Sequence, residues 1–406
     1  MGLDARESTP GFKRQLVVLN AETRSLKRAS IVLERMHQFK VSPNTIERIC
    51  QEVGEDLAVA QENDWRGVLN GETSVPELAI VENDGGRART RRMDCGPGVH
   101  LEGTGWNETK NAILVSATSV TSDVDPQPDP PACFLNQKHV AKLTETAQAK
   151  ENASENDDLP NRQAKAKKAQ RRSKKPRPPH QPKRLLRTVL SSLKNSRDFG
   201  AQIEREARRR KFFQAPRRAF VCDGLACNWT MHETHFRDFT PILDFTHAVT
   251  YLFHAAQVCC TKDESWPTYV RWMTSVWRGQ VGEVSGELDQ HQERLGPPPD
   301  DAPADDPREQ LRLIRGYLEN NRQRMRYDEY RCQGLPTTSA WMESAVKEIN
   351  YRVKGTEMFW NNPTGAEAIL HIRAAALSDD GRLPRFLARR PGSPTLRRPD
   401  PITQAA

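Results

Sequence analysis

The sequence lacks any unbroken apolar run of the roughly 18 residues that a membrane-spanning helix needs. Its first ten residues, MGLDARESTP, have no apolar core of the kind that a signal peptide carries. The eight cysteines include no C-x-x-C pair with the spacing of a zinc site. We therefore expect a cytoplasmic protein with reduced cysteines and no membrane partner.

The composition bounds the size and the partners of the chain. Its 406 residues are enough for two or three domains and a sizeable core. Hydrophobic residues make up 36% and charged residues 28%, so some segments are expected not to pack. The net charge of +8 favours a polyanionic partner such as nucleic acid, although charge alone is a weak indication.

The first segment, 1–70, is predicted to be helical, with two helices between residues 22 and 63. Ser42 suits an N-cap and Pro43 the first position of a helix. Apolar residues then recur at helical spacing, namely Ile46, Ile49, Cys50 and Val53. Such a pair resembles a helix-turn-helix that would read DNA. The alternative is a helical hairpin that only packs on the next domain.

A change of pattern at residue 75 marks the start of an α/β domain, whose first part spans 75–145. Residues 78–81 form a short apolar strand, and the Asn83-Asp84-Gly85-Gly86 sequence that follows is typical of a turn. Residues 87–92 would return as a second strand, and 106–120 would be a third. Three consecutive strands predict an antiparallel meander.

A basic segment, 146–184, interrupts this domain. It is rich in Lys, Arg, Ala, Asn and Pro, and its basic run continues from Arg162 to Arg187. Such a segment has too little apolar surface to order itself, so we predict a disordered linker. It would serve either as a solvated spacer or as a source of non-specific phosphate attraction.

The second part of the domain, 185–262, is predicted to contain a helix (185–213), strands at 218–222 and 241–243, and a helix at 245–260. A helical insertion, 263–335, contains helices at 266–295 and 308–325. The last part, 336–385, begins with a helix at 339–352, and 386–406 is a disordered tail. This order of elements predicts a mixed α/β sheet of the ribonuclease H-like type with an all-helical insertion.

Three acidic residues are candidates for chemistry. Asp84 and Asp223 follow predicted strands, where α/β sheets present ligands, and Glu343 lies on the late helix. Carboxylate oxygens are the ligands that Mg²⁺ prefers, and a pair of such ions can hold a phosphodiester in line for displacement. Each acid also has an ordinary explanation: Asp-Gly is common in turns, and Glu343 with Lys347 has the spacing of a solvated helix face.

The histidines are the alternative candidates for a metal site. His232-Glu233-Thr234-His235 has one residue too few between the glutamate and the second histidine for a zinc-protease helix. Asp244 and His247 stand one helical turn apart, which a helix-start capping pair explains. The histidines therefore predict no zinc site.

Several stretches together resemble the ISKra group of bacterial insertion-sequence transposases. The resemblance covers about residues 40 to 385, and the stretch around Glu343 is its most specific part. The matching runs are NDGGR (83–87), WNETK (106–110), FVCDGLACNW (220–229), ILDFTHAVTYLFHAA (242–256), NRQRMRYDEYRCQGLPTTSAWMESAVKEINYRVKGTEMFW (321–360) and GAEAILHIRAAALSDDGRL (365–383).

The resemblance implies a DDE triad of Asp84, Asp223 and Glu343, which would hold two Mg²⁺ ions, with Mn²⁺ as a possible substitute. It also implies that Asp244 and His247 form an accessory D-x-x-H element near the scissile phosphate. Four further residues in the matched stretch are candidates for DNA contact or for structural roles: Lys347, Arg352, Lys354 and Trp360.

A transposase of this kind would cut double-stranded DNA at element ends and join the ends to target DNA. It would work as a homodimer or a larger assembly, because two ends must be joined together. Two alternatives share the fold. One is a non-catalytic DNA-binding remnant of a transposase, and the other is a ribonuclease H-like nuclease that does not transfer strands.

Overall fold

The computed structural model describes residues 8–64, 69, 71, 74–91, 104–151, 177–354, 360 and 363–390. Most of the predicted linker (152–176) and of the predicted tail (391–406) lies outside these residues. Residues 386–389 were predicted to belong to the tail but continue a helix. No helix in the described segments is long and apolar enough to cross a membrane.

The described segments contain fourteen α-helices, and a buried apolar core runs through them from the first to the last. In chain order the helices are α1 Pro10–Glu22, α2 Leu26–His37, α3 Pro43–Asn63, α4 Gln137–Glu151, α5 Ser196–Arg209, α6 Ala226–His235, α7 Phe245–Cys259, α8 Lys262–Trp277, α9 Val281–Leu295, α10 Pro307–Asn321, α11 Tyr327–Cys332, α12 Ala340–Val353, α13 Pro363–Leu377 and α14 Arg382–Arg389.

The described strands form one five-stranded mixed sheet, which confirms the predicted α/β class. The strands are β1 Leu78–Arg91, β2 Thr104–Thr118, β3 Lys183–Ser192, β4 Arg217–Cys222 and β5 Thr240–Leu243. Their order across the sheet is β3-β2-β1-β4-β5. Strand β2 is antiparallel to both of its neighbours, whereas β1, β4 and β5 run parallel.

The turn predicted at Asn83-Asp84-Gly85-Gly86 does not exist, because β1 continues through these residues to Arg91. Gly86 is opposite Thr109, and a Cβ on Gly86 would lie 2.5 Å from the Thr109 Oγ1 and 2.9 Å from the Asn111 Nδ2. The glycine therefore allows the buried polar side chains of β2 to approach the backbone closely. The prediction mistook close packing inside a strand for a turn.

The helix predicted from residue 185 is also wrong in its first part, because residues 183–192 form β3. From Thr188 onward every side chain of this strand is buried. The end of α13 and the residues after it cover β3, and the Val189 N–H donates to the Ser378 hydroxyl over 2.9 Å. The helix itself, α5, begins only at Ser196. Its N-cap is Asn195, whose side chain accepts from the Asp198 N–H.

The N-terminal segment contains three helices where two were predicted, and it packs on the α/β domain. Ser42 is the N-cap of α3, as predicted, and its hydroxyl accepts from the Thr45 N–H over 3.1 Å. Gly54 of α3 contacts α13 so closely that a Cβ would lie 2.4 Å from the Ala368 carbonyl oxygen. This packing is what the hairpin interpretation expects.

Strand β1 separates two helical layers. The carboxylate of Glu82 accepts from the Met342 N–H of α12, whereas the Asn83 amide donates to Asn228 of α6. Since neighbouring residues of a strand point to opposite faces, α12 lies on one face and α6 on the other. Alternation then puts Asp84 on the face of Glu82 and α12.

Candidate active site

Asp84 lies on β1 just beyond the last residue that pairs with β4. The pairing of these parallel strands ends at Glu82 and Val221, and β4 ends one residue later, at Cys222. Asp84 and Asp223 therefore occupy the same edge of the sheet, at the carboxyl ends of the paired region. This is the edge at which parallel strands present ligands.

Asp223 is held by side-chain and backbone hydrogen bonds. Its Oδ1 accepts from the Asn228 amide over 2.7 Å and from the Leu225 N–H over 3.1 Å. The Asn228 amide oxygen in turn accepts from the Asn83 amide over 2.8 Å. Asn83 precedes Asp84, so Asn228 connects the side chain of the residue before Asp84 to the carboxylate of Asp223.

Glu343 lies in the first turn of α12, and two buried acids fix the start of that helix. Glu82 accepts from the Met342 N–H over 2.9 Å, and Asp244 accepts from the Ser339 hydroxyl over 2.5 Å. Both acids are fully buried. Glu82 thereby satisfies one backbone N–H at the start of α12, whose N-cap Ser339 makes no side-chain cap bond, while Asp244 holds the Ser339 side chain. Glu343 itself is 41% exposed and lies 3.6 Å from the Lys347 ammonium.

Asp244 and His247 form the capping pair that the residue pattern predicts. Asp244 is the N-cap of α7, and its carboxylate accepts from the Thr246 N–H over 2.8 Å. The Nδ1 of His247 lies 3.3 Å from the other carboxylate oxygen. Burial would raise the pKa of Asp244, but the contact with His247 and the hydrogen bonds from Ser339 and Thr246 hold it below its ordinary value.

The charges around His247 and Glu82 indicate which acids share a region. Burial lowers the pKa of His247, but the bond to Asp244 and the charges of Asp244, Asp223 and Asp84 raise it to about 9. Burial is also the main cause that raises the pKa of Glu82 to about 8, and the charges of Asp244 and Glu343 add to it. The charges of Asp84 and Asp223 therefore act on His247, and the charge of Glu343 acts on Glu82.

Glu82, Asn228 and Ser339 are site residues that sequence reasoning missed. Glu82 ends the apolar run LAIV, and a carboxyl group at that position is a weak signal of a polar, buried site. Asn228 and Ser339 carry no local signal, because their roles depend on contacts with distant residues. The Glu82 Oε1 has no hydrogen-bond partner within the described part of the chain.

The triad carboxylates do not form a preorganised metal cage. Among the described residues, no group of three or more His, Cys, Asp or Glu side chains has a geometry that could hold a metal ion. The donor chemistry still fits a hard divalent cation, since all three side chains are carboxylates.

Two of the four candidate DNA contacts are structural. The Arg352 guanidinium is fully buried and donates to the Asn20 side chain over 2.6 Å. Trp360 is also buried, and its backbone N–H donates to the Arg89 carbonyl. Lys347 is 77% exposed, and the Lys354 ammonium lies over the Trp106 ring at 5.2 Å. Only the two lysines therefore remain candidates for DNA contact.

The helical insertion contacts the site through α10. The Tyr317 hydroxyl of α10 donates to the Asp223 carbonyl over 2.7 Å. Burial is the main cause that raises the pKa of Tyr317 well above its ordinary value, so the hydroxyl keeps its proton at neutral pH. One turn later, Asn321 accepts from the indole N–H of Trp229 on α6.

No protein-family model matches this sequence, and no curated protein sequence matches it.

Proposed function

We propose that this protein is a DDE transposase with a ribonuclease H-like catalytic domain. The observation that carries the proposal is that Asp84 and Asp223 occupy one edge of the sheet, while Glu343 follows the residue of α12 whose N–H bonds to Glu82 of β1. The charges of the first two raise the pKa of His247, and the charge of Glu343 raises that of Glu82. Carboxylates brought together in this way repel each other unless cations lie between them.

The sheet supports the same proposal. In a ribonuclease H-like fold an antiparallel meander of three strands is followed by two strands that run parallel to the first. The order β3-β2-β1-β4-β5, with only β2 reversed, agrees with that arrangement. The positions of the acids agree as well: one on β1, one after β4 and one on the helix that follows the insertion.

Asp84, Asp223 and Glu343 are the residues that would hold divalent ions, two Mg²⁺ in the proposed site. When bound, such ions polarise the scissile phosphodiester and activate the attacking oxygen. Asn228 orients the Asp223 carboxylate, while Glu82 and Asp244 fix the helix that carries Glu343. His247, whose pKa is raised to about 9, would be protonated and would compensate the charge of Asp244 within their ion pair.

The proposed reaction has two displacement steps at phosphorus. In the first, water attacks the phosphodiester at an element end, and the strand leaves with a free 3′ hydroxyl. In the second, this hydroxyl attacks a phosphodiester of the target DNA, so one bond forms as another breaks. The partners are therefore element-end DNA and target DNA, and the joining of two ends implies a dimer or a larger assembly.

The test compares Asp223→Asn with wild-type protein on a plasmid that carries the DNA flanking the coding region. We expect Mg²⁺-dependent cuts with wild-type protein and none with the variant, while mobility-shift affinity for the DNA changes little. The matched control is Asp238→Asn, because Asp238 is an exposed acid before β5. Cutting by the Asp223 variant would remove this residue from the catalytic site.

A second assay separates the proposed activity from that of a simple nuclease. A labelled end fragment with a 3′ hydroxyl is incubated with an unrelated plasmid, and joined products are resolved by electrophoresis. A transposase produces labelled plasmid. A nuclease that only hydrolyses DNA leaves the label on the free fragment.

A further inference from the structure

We propose that Tyr317 is a positioning residue through which the helical insertion sets the orientation of Asp223. The inference rests on the proposed function, because it assigns Tyr317 a role in the same site. Tyr317 lies on α10, and its hydroxyl donates to the Asp223 carbonyl oxygen over 2.7 Å. It contacts the backbone of the acid and not its carboxylate.

The loop after β4 is shaped around the tyrosine ring. Gly224 has a φ of +91°, a backbone conformation that residues other than glycine rarely adopt. A Cβ at this position would also lie 2.7 Å from the Tyr317 Oη and 2.9 Å from its Cε2. The glycine therefore allows the peptide after Asp223 to approach the ring and its hydroxyl.

Tyr317 is itself held by the helix that carries His247. Its ring stacks on that of Tyr251 with a centroid separation of 3.7 Å and an angle of 6° between the planes. Tyr251 lies one turn after His247 on α7. The phenol is thus fixed between α7 and the Asp223 loop and has little freedom to follow a moving backbone.

Asn228 and Tyr317 restrain different parts of Asp223. Asn228 restrains one carboxylate oxygen, and Tyr317 restrains the carbonyl of the same residue. Together they fix the residue on both sides of its Cα atom. Without the phenol hydroxyl, the peptide between Asp223 and Gly224 is less restrained, and the orientation of the Asp223 carboxylate is less well defined when a cation binds.

The direct test is Mn²⁺ binding by the full chain without DNA, measured by calorimetry. Tyr317→Phe keeps the ring and its stacking and removes only the hydroxyl. Loss of one net hydrogen bond predicts roughly three- to tenfold weaker Mn²⁺ binding. If cutting activity is measured as well, the variant should need more Mg²⁺ but recover near wild-type turnover at saturation.

A matched control is Tyr330→Phe. The Tyr330 hydroxyl also donates to a backbone carbonyl, that of Pro241, over 3.1 Å. This carbonyl lies on β5 and away from the Asp223 loop. Both variants should lose similar stability in urea unfolding, but only the Tyr317 variant should lose Mn²⁺ affinity.

The outcomes separate the two proposals. Mn²⁺ affinities that are equal in wild-type protein, Tyr317→Phe and Tyr330→Phe, but weaker in Asp223→Asn, would overturn the role of Tyr317 and leave the proposed function standing. Equal affinity in wild-type protein and Asp223→Asn would overturn the metal role of Asp223, and both proposals would fail. A selective loss in Tyr317→Phe supports the inference.

Discussion

The pKa of His247 offers a direct test of whether two of the predicted triad acids, Asp84 and Asp223, share one region. The rise from an ordinary 6.5 to about 9 corresponds to about 3 kcal/mol in favour of the imidazolium. This is an upper value, because 30% of the His247 side chain is exposed and solvent screens the charges. Burial lowers the pKa of His247, and the hydrogen bond to Asp244 and the charge of Asp244 are the main causes that raise it; the charges of Asp223 and Asp84 add smaller contributions.

The perturbation is to remove these two charges singly with Asp84→Asn and Asp223→Asn. Each replacement should lower the pKa of His247, by less than the loss of Asp244 would, because the charges of Asp223 and Asp84 contribute less than Asp244 does. The assay is an NMR titration of histidine-labelled protein, with His247→Gln used for assignment. Asp289→Asn is the control, because Asp289 pairs with Arg315 on the surface of the insertion. An unchanged pKa in both site variants would refute the shared region.

The same shift predicts how the ion pair contributes to stability at different pH. Because folding raises the pKa of His247, the imidazolium stabilises the fold fully below its unfolded value of 6.5. This contribution disappears as the pH rises through the folded value of about 9. Urea unfolding should therefore show a larger difference between wild-type protein and His247→Gln at about pH 6 than at about pH 9.5. A difference that does not change with pH would contradict the assigned ion pair.

Two further predictions concern stability. Arg382→Met leaves the buried carboxylates of Asp380 and Glu206 without their shared cation. The free energy of unfolding in urea titrations should therefore fall by about 3–5 kcal/mol. A loss under about 1 kcal/mol would contradict this reasoning. Gly54→Ala places a methyl group against α13 and should cost about 1–3 kcal/mol, whereas Gly316→Ala meets open space on a helix and should be neutral or stabilising by about 1 kcal/mol. Equal effects of the two glycine variants on thermal unfolding would mean that α3 does not pack as described.

The elements with strong local signals could be predicted from the sequence. Strand β4 is a short apolar run that an Asp-Gly pair ends, and α3 begins at a serine N-cap followed by proline. Local physical chemistry decides both features: apolar burial defines the strand, and a hydroxyl that accepts an orphan N–H starts the helix. Their bounds agree with the predicted ones within a residue or two.

The elements that failed depend on distant partners. Residues 183–192 become a strand because β2 pairs with them, although the two segments are separated by more than sixty residues of chain. Gly85 and Gly86 remain inside β1 because Lys110 and Thr109 lie opposite them. A single sequence shows the glycines but not the opposing strand, so a turn was the reasonable local interpretation.

The residues of the candidate site also fall into a predicted group and a group that was not predicted. Asp84, Asp223 and Glu343 were selected by resemblance to a family, since each has an ordinary explanation as a turn residue or a solvated helix residue. The residues that orient them, Asn228 and Glu82, were not predicted. Their importance follows only from hydrogen bonds across the sheet and to the start of α12.

Several acids lie near this edge of the sheet, and two of them, Glu82 and Asp244, are fully buried. Two features limit the net negative charge of the two buried acids, Glu82 and Asp244. Glu82 is mostly protonated at neutral pH because its pKa is about 8, and His247 is positive because its pKa is about 9. Asp244 balances His247 within their ion pair. The proposed metal ligands are therefore Asp84, Asp223 and Glu343 rather than the two buried acids, because protonation and the ion pair with His247 already compensate the charges of the latter.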